Sequence, residues 1–217
     1  MMLKNQVNKK SLATAAVFST LSAGIAEAAN FTTFTDRAAW ESAVSSFSEE
    51  DFNDFTENTS FNGSNLDVGD FTLVNNLPQI PTANFINTSS TGEIDGTPHV
   101  DVVAVPSQFS RVGLTFDSPI TAFGADFQNV SEGNFTTQFV IDSNIIDIPD
   151  TPLGFFGFVS DMSFSEILLQ GPIVGGSVDR LRFDNVVYDQ ASTPEPASVL
   201  GLLAFGAAGA TSMLKRK

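Results

Sequence analysis

The sequence predicts an all-β protein, an antiparallel β-sandwich with one short helix near its N-terminus. From Phe61 onward, short runs alternate apolar and polar residues and are separated by glycine, proline, asparagine and aspartate, which is typical of antiparallel strands. About nine such runs occur without the helical crossovers that parallel strands need. The chain also contains 21 phenylalanines against one tryptophan, Trp40, and one tyrosine, Tyr188, and phenylalanine fills a core without needing a hydrogen-bond partner.

The helix is predicted at the start of the domain, where Asp36 is expected to be its N-cap. Trp40 lies on the apolar stripe and is interpreted as the residue that docks the helix onto the core, in preference to a ligand platform. The helix is expected to end before the acidic stretch Glu49 to Asp54. The stripe consists of Ala39, Trp40, Ala43, Val44 and Phe47.

The strands are predicted from their two-residue alternation. In the run Val112–Phe116, apolar residues alternate with Gly113 and Thr115, and Asp117-Ser118-Pro119 is expected to form a turn before the next strand. The predicted strands are Phe71–Val74, Val100–Val105, Val112–Phe116, Ile120–Phe127, Phe135–Ile141, Asn144–Ile148, Phe155–Val159, Ser163–Gln170 and Val178–Tyr188.

Residues 1–28 have the pattern of a signal peptide. Three lysines lie between positions 4 and 10, an apolar stretch runs from Leu12 to Ile25, and Ala26-Glu27-Ala28 is an A-x-A cleavage site. We therefore expect signal peptidase to cut after Ala28, once the export machinery has engaged the chain. Retention of this stretch as an anchor is the less favoured alternative.

A second apolar stretch lies near the C-terminus. The triplet Pro194-Glu195-Pro196 precedes an uncharged run from Ala197 to Leu214 and a basic cluster, Lys215-Arg216-Lys217. The two prolines prevent the triplet from continuing a sheet or a helix, so it is expected to be an exposed joint. Eighteen residues in a helix span ~27 Å, just enough for a thin bilayer. The basic cluster would remain on the cytoplasmic side.

These three parts, in this order, resemble the PEP-CTERM sorting signal of bacteria with a Gram-negative envelope. The resemblance implies that residues 191–217 are a sorting tail with a transmembrane helix at 197–214. It also implies that the partner is an exosortase, a membrane protease that recognises Pro194-Glu195-Pro196. The expected location is a membrane-anchored precursor, followed by the cell surface or secretion. An ordinary single-pass tail anchor is the alternative.

The intervening domain, residues 29–190, is expected to be a jelly roll. Three segments look like the closing strands of jelly-roll domains that often precede PEP-CTERM tails, and this similarity favours a jelly roll over an immunoglobulin-like topology. It supports a fold and not an activity. The segments are Phe155–Ser160, Phe164–Ile167 and Phe183–Tyr188.

The charge of the domain excludes one class of partner. Residues 29–193 contain 4 arginines, no lysine and 25 minus 2, or 23, acidic residues, so their net charge is about −19. Such a surface repels phosphate backbones, and we expect no nucleic-acid binding. The chain has no cysteine, so the exported domain must be stable without disulfides.

No catalytic or cofactor-binding residue is predicted. His99 is the one histidine of the chain, and neither a Ser-His-Asp nor a Cys-His system can be assembled from the sequence. A zinc site at His99 and Asp101 is less favoured than an exposed histidine at a strand edge. A pair of acidic residues could cleave glycosidic bonds, but among 23 acidic residues such a pair has no specificity.

Calcium is the one metal that the acidic residues suggest. Asp184 and Asn185 offer oxygen ligands near the end of the last predicted strand, and Asp36 or Asp179 is a candidate further ligand. The favoured alternative is that Asp184 caps a turn or pairs with a neighbouring arginine.

Two functions follow from these observations. The adopted hypothesis is a non-enzymatic structural or adhesive protein, delivered by its tail to the cell surface or to an exopolysaccharide matrix. The alternative is a secreted carbohydrate-binding or carbohydrate-cleaving module delivered by the same tail. An aromatic sugar platform would have to include Trp40 or Tyr188, because they are the only residues of their types. A calcium-mediated contact through aspartate and asparagine is the remaining route.

Overall fold

The structure is a computed structural model that describes residues 29–75, 84–89, 94–105, 112–131, 136–171 and 179–190. Within these ranges every strand pair is antiparallel, and the one helix is short, which confirms the all-β class. The elements are β1 Phe31–Phe34, α1 Arg37–Ala43, β2 Ser48–Glu50, β3 Thr59–Ser60, β4 Asn65–Asp67, β5 Phe71–Asn75, β6 Phe85–Asn87, β7 His99–Ala104, β8 Val112–Val130, β9 Gln138–Ile141, β10 Asn144–Asp147, β11 Thr151–Gln170 and β12 Asp179–Gln190.

Two of the strands are longer than predicted. The expected turn at Asp117-Ser118-Pro119 is wrong, because these exposed residues lie within the continuous strand β8. Similarly, Phe155–Val159 and Ser163–Gln170 belong to the single strand β11, and its pairing with β8 is irregular around residues 160–163. A strand can change direction at such an irregularity without leaving its sheet. The sequence signals for a turn therefore mark a bend.

The bends divide the strands into two groups that pack face to face. Before its bend, β8 pairs with β5 and with the second half of β11, which in turn pairs with β9; after the bend, β8 pairs with β12 and the first half of β11. Phenylalanine rings from the two groups meet between them. The ring centroid of Phe139 in β9 lies 5.4 Å from that of Phe123 and 5.8 Å from that of Phe158. The expected jelly-roll topology stays a prediction.

Helix α1 docks onto the second group as the sequence predicts. The Ala39 N–H donates to Oδ1 of the N-cap Asp36 at 2.8 Å. Trp40 is completely buried, and its indole N–H donates to the Phe158 carbonyl at 3.2 Å. The helix ends at Ala43, before the predicted stripe does, and Phe47 remains 40% exposed. The acidic stretch that follows starts with β2, which the sequence analysis does not predict.

The predicted membrane segments cannot be compared with this fold. The signal peptide at 1–28, with its cleavage site at Ala26 and Ala28, lies outside the described residues, and so does the sorting tail at 191–217. In the ranges that are described, no helix is long and apolar enough to cross a membrane.

Candidate functional site

Strand β12 contains one residue more than the strand beside it. Asp184 pairs with Asp126 of β8 and Val187 pairs with Gly124, so three steps along β12 match two steps along β8. The extra residue is Asn185, whose φ is 49°. Asparagine tolerates this left-handed conformation better than most residues. The arrangement is a β-bulge, a feature that commonly redirects side chains near functional sites.

The bulge changes which side chains of β12 face the core. Val186 and Tyr188 belong to the main hydrophobic core, whereas Val187 packs with Trp40 on the other face of the sheet. If Asn185 were paired as a regular strand residue, the strict two-residue period would place Val186 and Tyr188 on the same face as Asp184. The bulge therefore lets Asp184 and Tyr188, four residues apart, face opposite sides of the sheet.

Polar side chains from three segments meet at the bulge. The Asn185 side-chain amide donates to Asp126 Oδ2 at 3.0 Å and to Asp95 Oδ2 at 3.1 Å. The Thr97 hydroxyl lies 3.0 Å from Asp184 Oδ2 and also contacts Asp95 Oδ1. We call these five residues, Asp95, Thr97, Asp126, Asp184 and Asn185, the bulge cluster.

The contacts of Thr97 suggest that the bulge cluster holds a proton. A threonine hydroxyl has one hydrogen to donate, but Thr97 contacts carboxylate groups of both Asp95 and Asp184. If the Asp184 carboxyl group is protonated, it donates to Thr97, which then donates to Asp95. A single extra proton thus satisfies both contacts.

The electrostatic surroundings agree with this placement of the proton. Burial raises the pKa of Asp184 to about 7, although hydrogen bonds from Asn185 and Thr97 act against it. Burial also raises the pKa of Asp126, despite a hydrogen bond from Asn185 and the charge of Arg37. The Arg37 guanidinium lies 3.8 Å from Asp126 Oδ2 and also pairs with Glu49 and Glu41.

A second polar group lies beside the bulge cluster on the same face. Arg182 donates to Asp101 Oδ1 at 2.8 Å and to Gln128 Oε1 at 3.0 Å. The expectation that His99 is exposed at a strand edge is wrong, because its side chain is completely buried next to β12. Its Nε2 lies 3.7 Å from Asp101 Oδ2, so the two residues do share a face, as predicted.

The structure places the predicted calcium ligands at three separate positions. Asp184 and Asn185 lie at the bulge in the middle of β12, not near its end. Asp36 caps α1, and Asp179 accepts hydrogen bonds from Ser131 and Thr137, so neither approaches Asp184 through a contact. In the described part of the chain, no three His, Asp or Glu residues are arranged to hold a metal ion. Calcium binding by Asp184 and Asn185 stays a prediction.

The sequence did not predict that Asp95, Thr97 and Asp126 lie close to Asp184. Their proximity depends on strand register and on the path of a loop, neither of which is visible in a local pattern. No local signal marks the bulge, because Val186 and Val187 face opposite sides of the sheet and adjacent valines also occur in the regularly paired strand β7.

The sorting tail has no described geometry, but its sequence can be compared with a family model. The model of the PEP-CTERM protein-sorting motif matches residues 192–217. The chain carries a PEP-CTERM sorting signal. The match includes the triplet Pro194-Glu195-Pro196, the apolar run and the basic cluster Lys215-Arg216-Lys217, and it confirms the resemblance on which the sequence analysis relied.

The PEP-CTERM signal defines the broad cellular route of the protein. It implies export, a membrane-anchored precursor and delivery to the cell surface or the outside of the cell. It also implies an exosortase as the processing partner. These statements concern the tail and leave the activity of the β domain open.

Comparisons of the β domain with known proteins give distant matches. Two structures of the catalytic domain of a GH87 alpha-1,3-glucanase in complex with nigerose each share 15% identity, cover 69% of this chain and 29% of that chain, and have a TM-score of 0.35. A third, in complex with tetrasaccharides, shares 12% identity, covers 76% and 29%, and has a TM-score of 0.30. The chain thus spans less than a third of these enzymes, and no functional argument follows from such similarity. No curated protein matches the sequence.

Proposed function

We propose that this PEP-CTERM protein is a non-enzymatic structural or adhesive component of the cell surface or of an exopolysaccharide matrix. The observation that carries the proposal is the sorting motif at residues 192–217. The chain is exported, the apolar run 197–214 holds the precursor in the membrane, and an exosortase recognises Pro194-Glu195-Pro196. The β domain is then the part that functions outside the cell.

The placement of the aromatic residues supports a structural role over a carbohydrate module. Exposed tryptophan and tyrosine rings are the usual platforms for sugar stacking. Trp40 is completely buried under α1, and Tyr188 is 4% exposed with its hydroxyl donating to Asp70 at 2.8 Å. The two residues that could have formed such a platform are therefore packed inside the domain.

The placement of His99 supports a non-catalytic role in the same way. Its side chain has no exposed surface, and a general base must reach the proton that it removes from a substrate. Its Nδ1 lies 3.4 Å from the Thr97 carbonyl, and its Nε2 faces Asp101. His99 thus contributes to the packing between strands β7 and β12.

Replacement of Pro194, Glu195 and Pro196 by alanine tests the route of delivery. We expect the variant to accumulate as a membrane-bound precursor, because the exposed joint that the exosortase recognises is lost. Cell fractionation and intact-mass measurement would report the location and the cleavage. The control replaces Ala191, directly before the matched residues 192–217, by serine and should be processed normally. Normal processing of the triple variant would contradict the proposal.

The role of the β domain needs a separate experiment. Cells that lack the protein should adhere less to surfaces or retain less matrix, and the intact gene should restore this property while the alanine-triplet variant should not. The purified domain should give no signal on a glycan array or in a glycoside-hydrolysis screen, with or without calcium. Binding or cleavage in either screen would favour the carbohydrate module.

A further inference from the structure

The bends of β8 and β11 come together at one end of the domain. Exposed residues 117–119 of β8 and 161–163 of β11 connect the two groups of strands there. The turn between β4 and β5 joins them, because the Asp117 N–H donates to the Asp70 carbonyl at 3.0 Å. We call residues 68–70, 117–119 and 161–163 the corner. Met162 is its one large apolar side chain with high exposure, 48%.

Both ends of the described domain lie at the corner. At the N-terminal end, Phe31 pairs with Ser160, and Asn30 donates to the two Asp161 carboxylate oxygens at 2.9 and 2.7 Å. At the C-terminal end, Gln190 pairs with Ile120, the residue directly after the bend of β8. The segments that lead to the predicted signal peptide and to the sorting tail therefore leave the domain from the same end.

The connection between the domain and the apolar run is short. Strand β12 ends at Gln190 and the run begins at Ala197, so six residues, 191–196, separate them. A fully extended chain spans at most ~3.6 Å per residue, which limits this linker to about 22 Å. Two of the six residues are prolines, which restrict the backbone further. A linker of this length holds the corner nearer to the bilayer than the opposite end of the domain.

The short linker keeps the corner near the bilayer, and the charge of the corner opposes its insertion. Asp70, Asp117 and Asp161 are acidic, and the three segments of the corner contain no lysine or arginine. Hydrogen bonds from Asn30 lower the pKa of Asp161, which keeps this carboxylate charged. Anionic headgroups repel such a surface. The corner, which the linker holds near the headgroups, should therefore not insert among them.

We propose that the corner is the surface that faces the lipid headgroups while the tail anchors the precursor, and that the opposite end of the domain points away from the membrane. This inference rests on the proposed function, because it requires a tail that spans the bilayer. It adds the orientation of the domain and names the residues next to the membrane. These are also the residues that a membrane protease encounters when it approaches Pro194.

The absence of cysteine from the chain allows a direct test. Met162→Cys and Leu153→Cys place single thiols at two exposed positions of the same strand, 48% and 57% exposed. The full chain, produced in cells without an exosortase, purified and placed in lipid vesicles, would carry a fluorescent donor at either thiol. Acceptor-labelled headgroups would then report the proximity of each position to the membrane.

We expect energy transfer from position 162 to be about twofold or more above that from position 153, because nine residues of strand separate the two by up to ~30 Å. Insertion of ten Gly/Ser residues after Ala191 should reduce this difference without releasing the protein from the vesicles. Equal transfer from both positions, or greater transfer from position 153, would overturn the proposed orientation while the anchor stands. Flotation of the vesicles without bound protein would instead overturn the anchored precursor itself.

Discussion

The outer face of strands β8, β11 and β12 carries two neighbouring regions of opposite chemistry. One is an apolar patch in which Trp40 packs on Ala122, Phe155 and Val187. The other is the bulge cluster, where three carboxylate groups surround Asn185. Both regions use strands β8 and β12, and Phe155 of β11 pairs directly with Asp126 across their boundary. The difference shows that the face of one sheet changes from apolar packing to buried polar contacts at the inserted residue Asn185.

The apolar patch needs a close approach between strands as well as a helix above it. A Cβ atom on Gly124 would lie 2.4 Å from Cζ of Phe155 and 3.3 Å from Cγ2 of Val187. Glycine at this position lets the Phe155 ring lie against the backbone of β8. The ring then supports Trp40, whose centroid is 6.1 Å away.

Deletion of Val186 should have the largest effect on this arrangement. If the bulge stays at Asn185, the two-residue period would turn Tyr188 out of the core, and if the bulge is lost, Asn185 would enter the core in place of Val186. We expect the domain not to fold, which expression and circular dichroism would show. The control is deletion of Asn185, which removes the bulge and leaves Val186 and Tyr188 facing the core in regular alternation. A folded Val186-deletion variant would show that the number of residues after Asp184 does not determine the facing of β12.

The second prediction concerns the apolar patch. Trp40→Ala removes the completely buried side chain that covers the patch, and the free energy of unfolding should fall by about 3–5 kcal/mol. Urea denaturation of the exported domain would measure it. Trp40→Phe should lose less, because it retains most of the packing and loses the indole bond to Phe158. Equal losses in both variants would mean that the indole hydrogen bond, not the packing, holds the helix.

The third prediction concerns the bulge cluster and pH. The pKa of Asp184 is about 7 in the folded protein and ~3.9 in an unfolded chain. Because the folded state holds this proton more tightly, its stabilising effect is complete below pH ~4 and is lost as the pH rises to about 7, by at most about 4 kcal/mol. Denaturation curves at several pH values between 4 and 8 would show the decline.

Two variants assign this decline to the bulge cluster. Asp184→Asn has the same shape and cannot ionise, so its stability should vary less between pH 4 and 7. Asp142→Asn removes one charge at an exposed turn and should follow the wild-type curve. If Asp184→Asn keeps the full pH dependence, the decline arises from the general negative charge of the domain and not from Asp184.

The contrast between the two regions also shows what the sequence could predict. The docking of Trp40 followed from the apolar stripe after Asp36, because helical periodicity is local and the cap adjoins it. The bulge cluster did not follow, because Asp95 and Asp126 reach Asn185 from positions 90 and 59 residues away. Such contacts depend on register, which a single irregular residue changes. Asp117-Ser118-Pro119 was predicted to be a turn for a related reason. The residue types that form turns also occur where a continuous strand bends.

The smallest predicted loss of stability concerns Gly124, which lies near the boundary between the two regions. Gly124→Ala places a methyl group against the ring of Phe155, so the ring and the helix above it must shift, and we expect a loss of about 1–3 kcal/mol. Gly154→Ala on the adjacent strand is the matched control, because its Cβ would meet only Thr151 Cγ2 at 3.6 Å, an ordinary contact. Tryptophan fluorescence should change in the first variant and not in the second, since Trp40 is the chain's single tryptophan.

If the bulge cluster and the apolar patch are structurally coupled, Gly124→Ala should also alter the pH dependence assigned to Asp184. An unchanged pH dependence would mean that the two regions, although adjacent, respond independently.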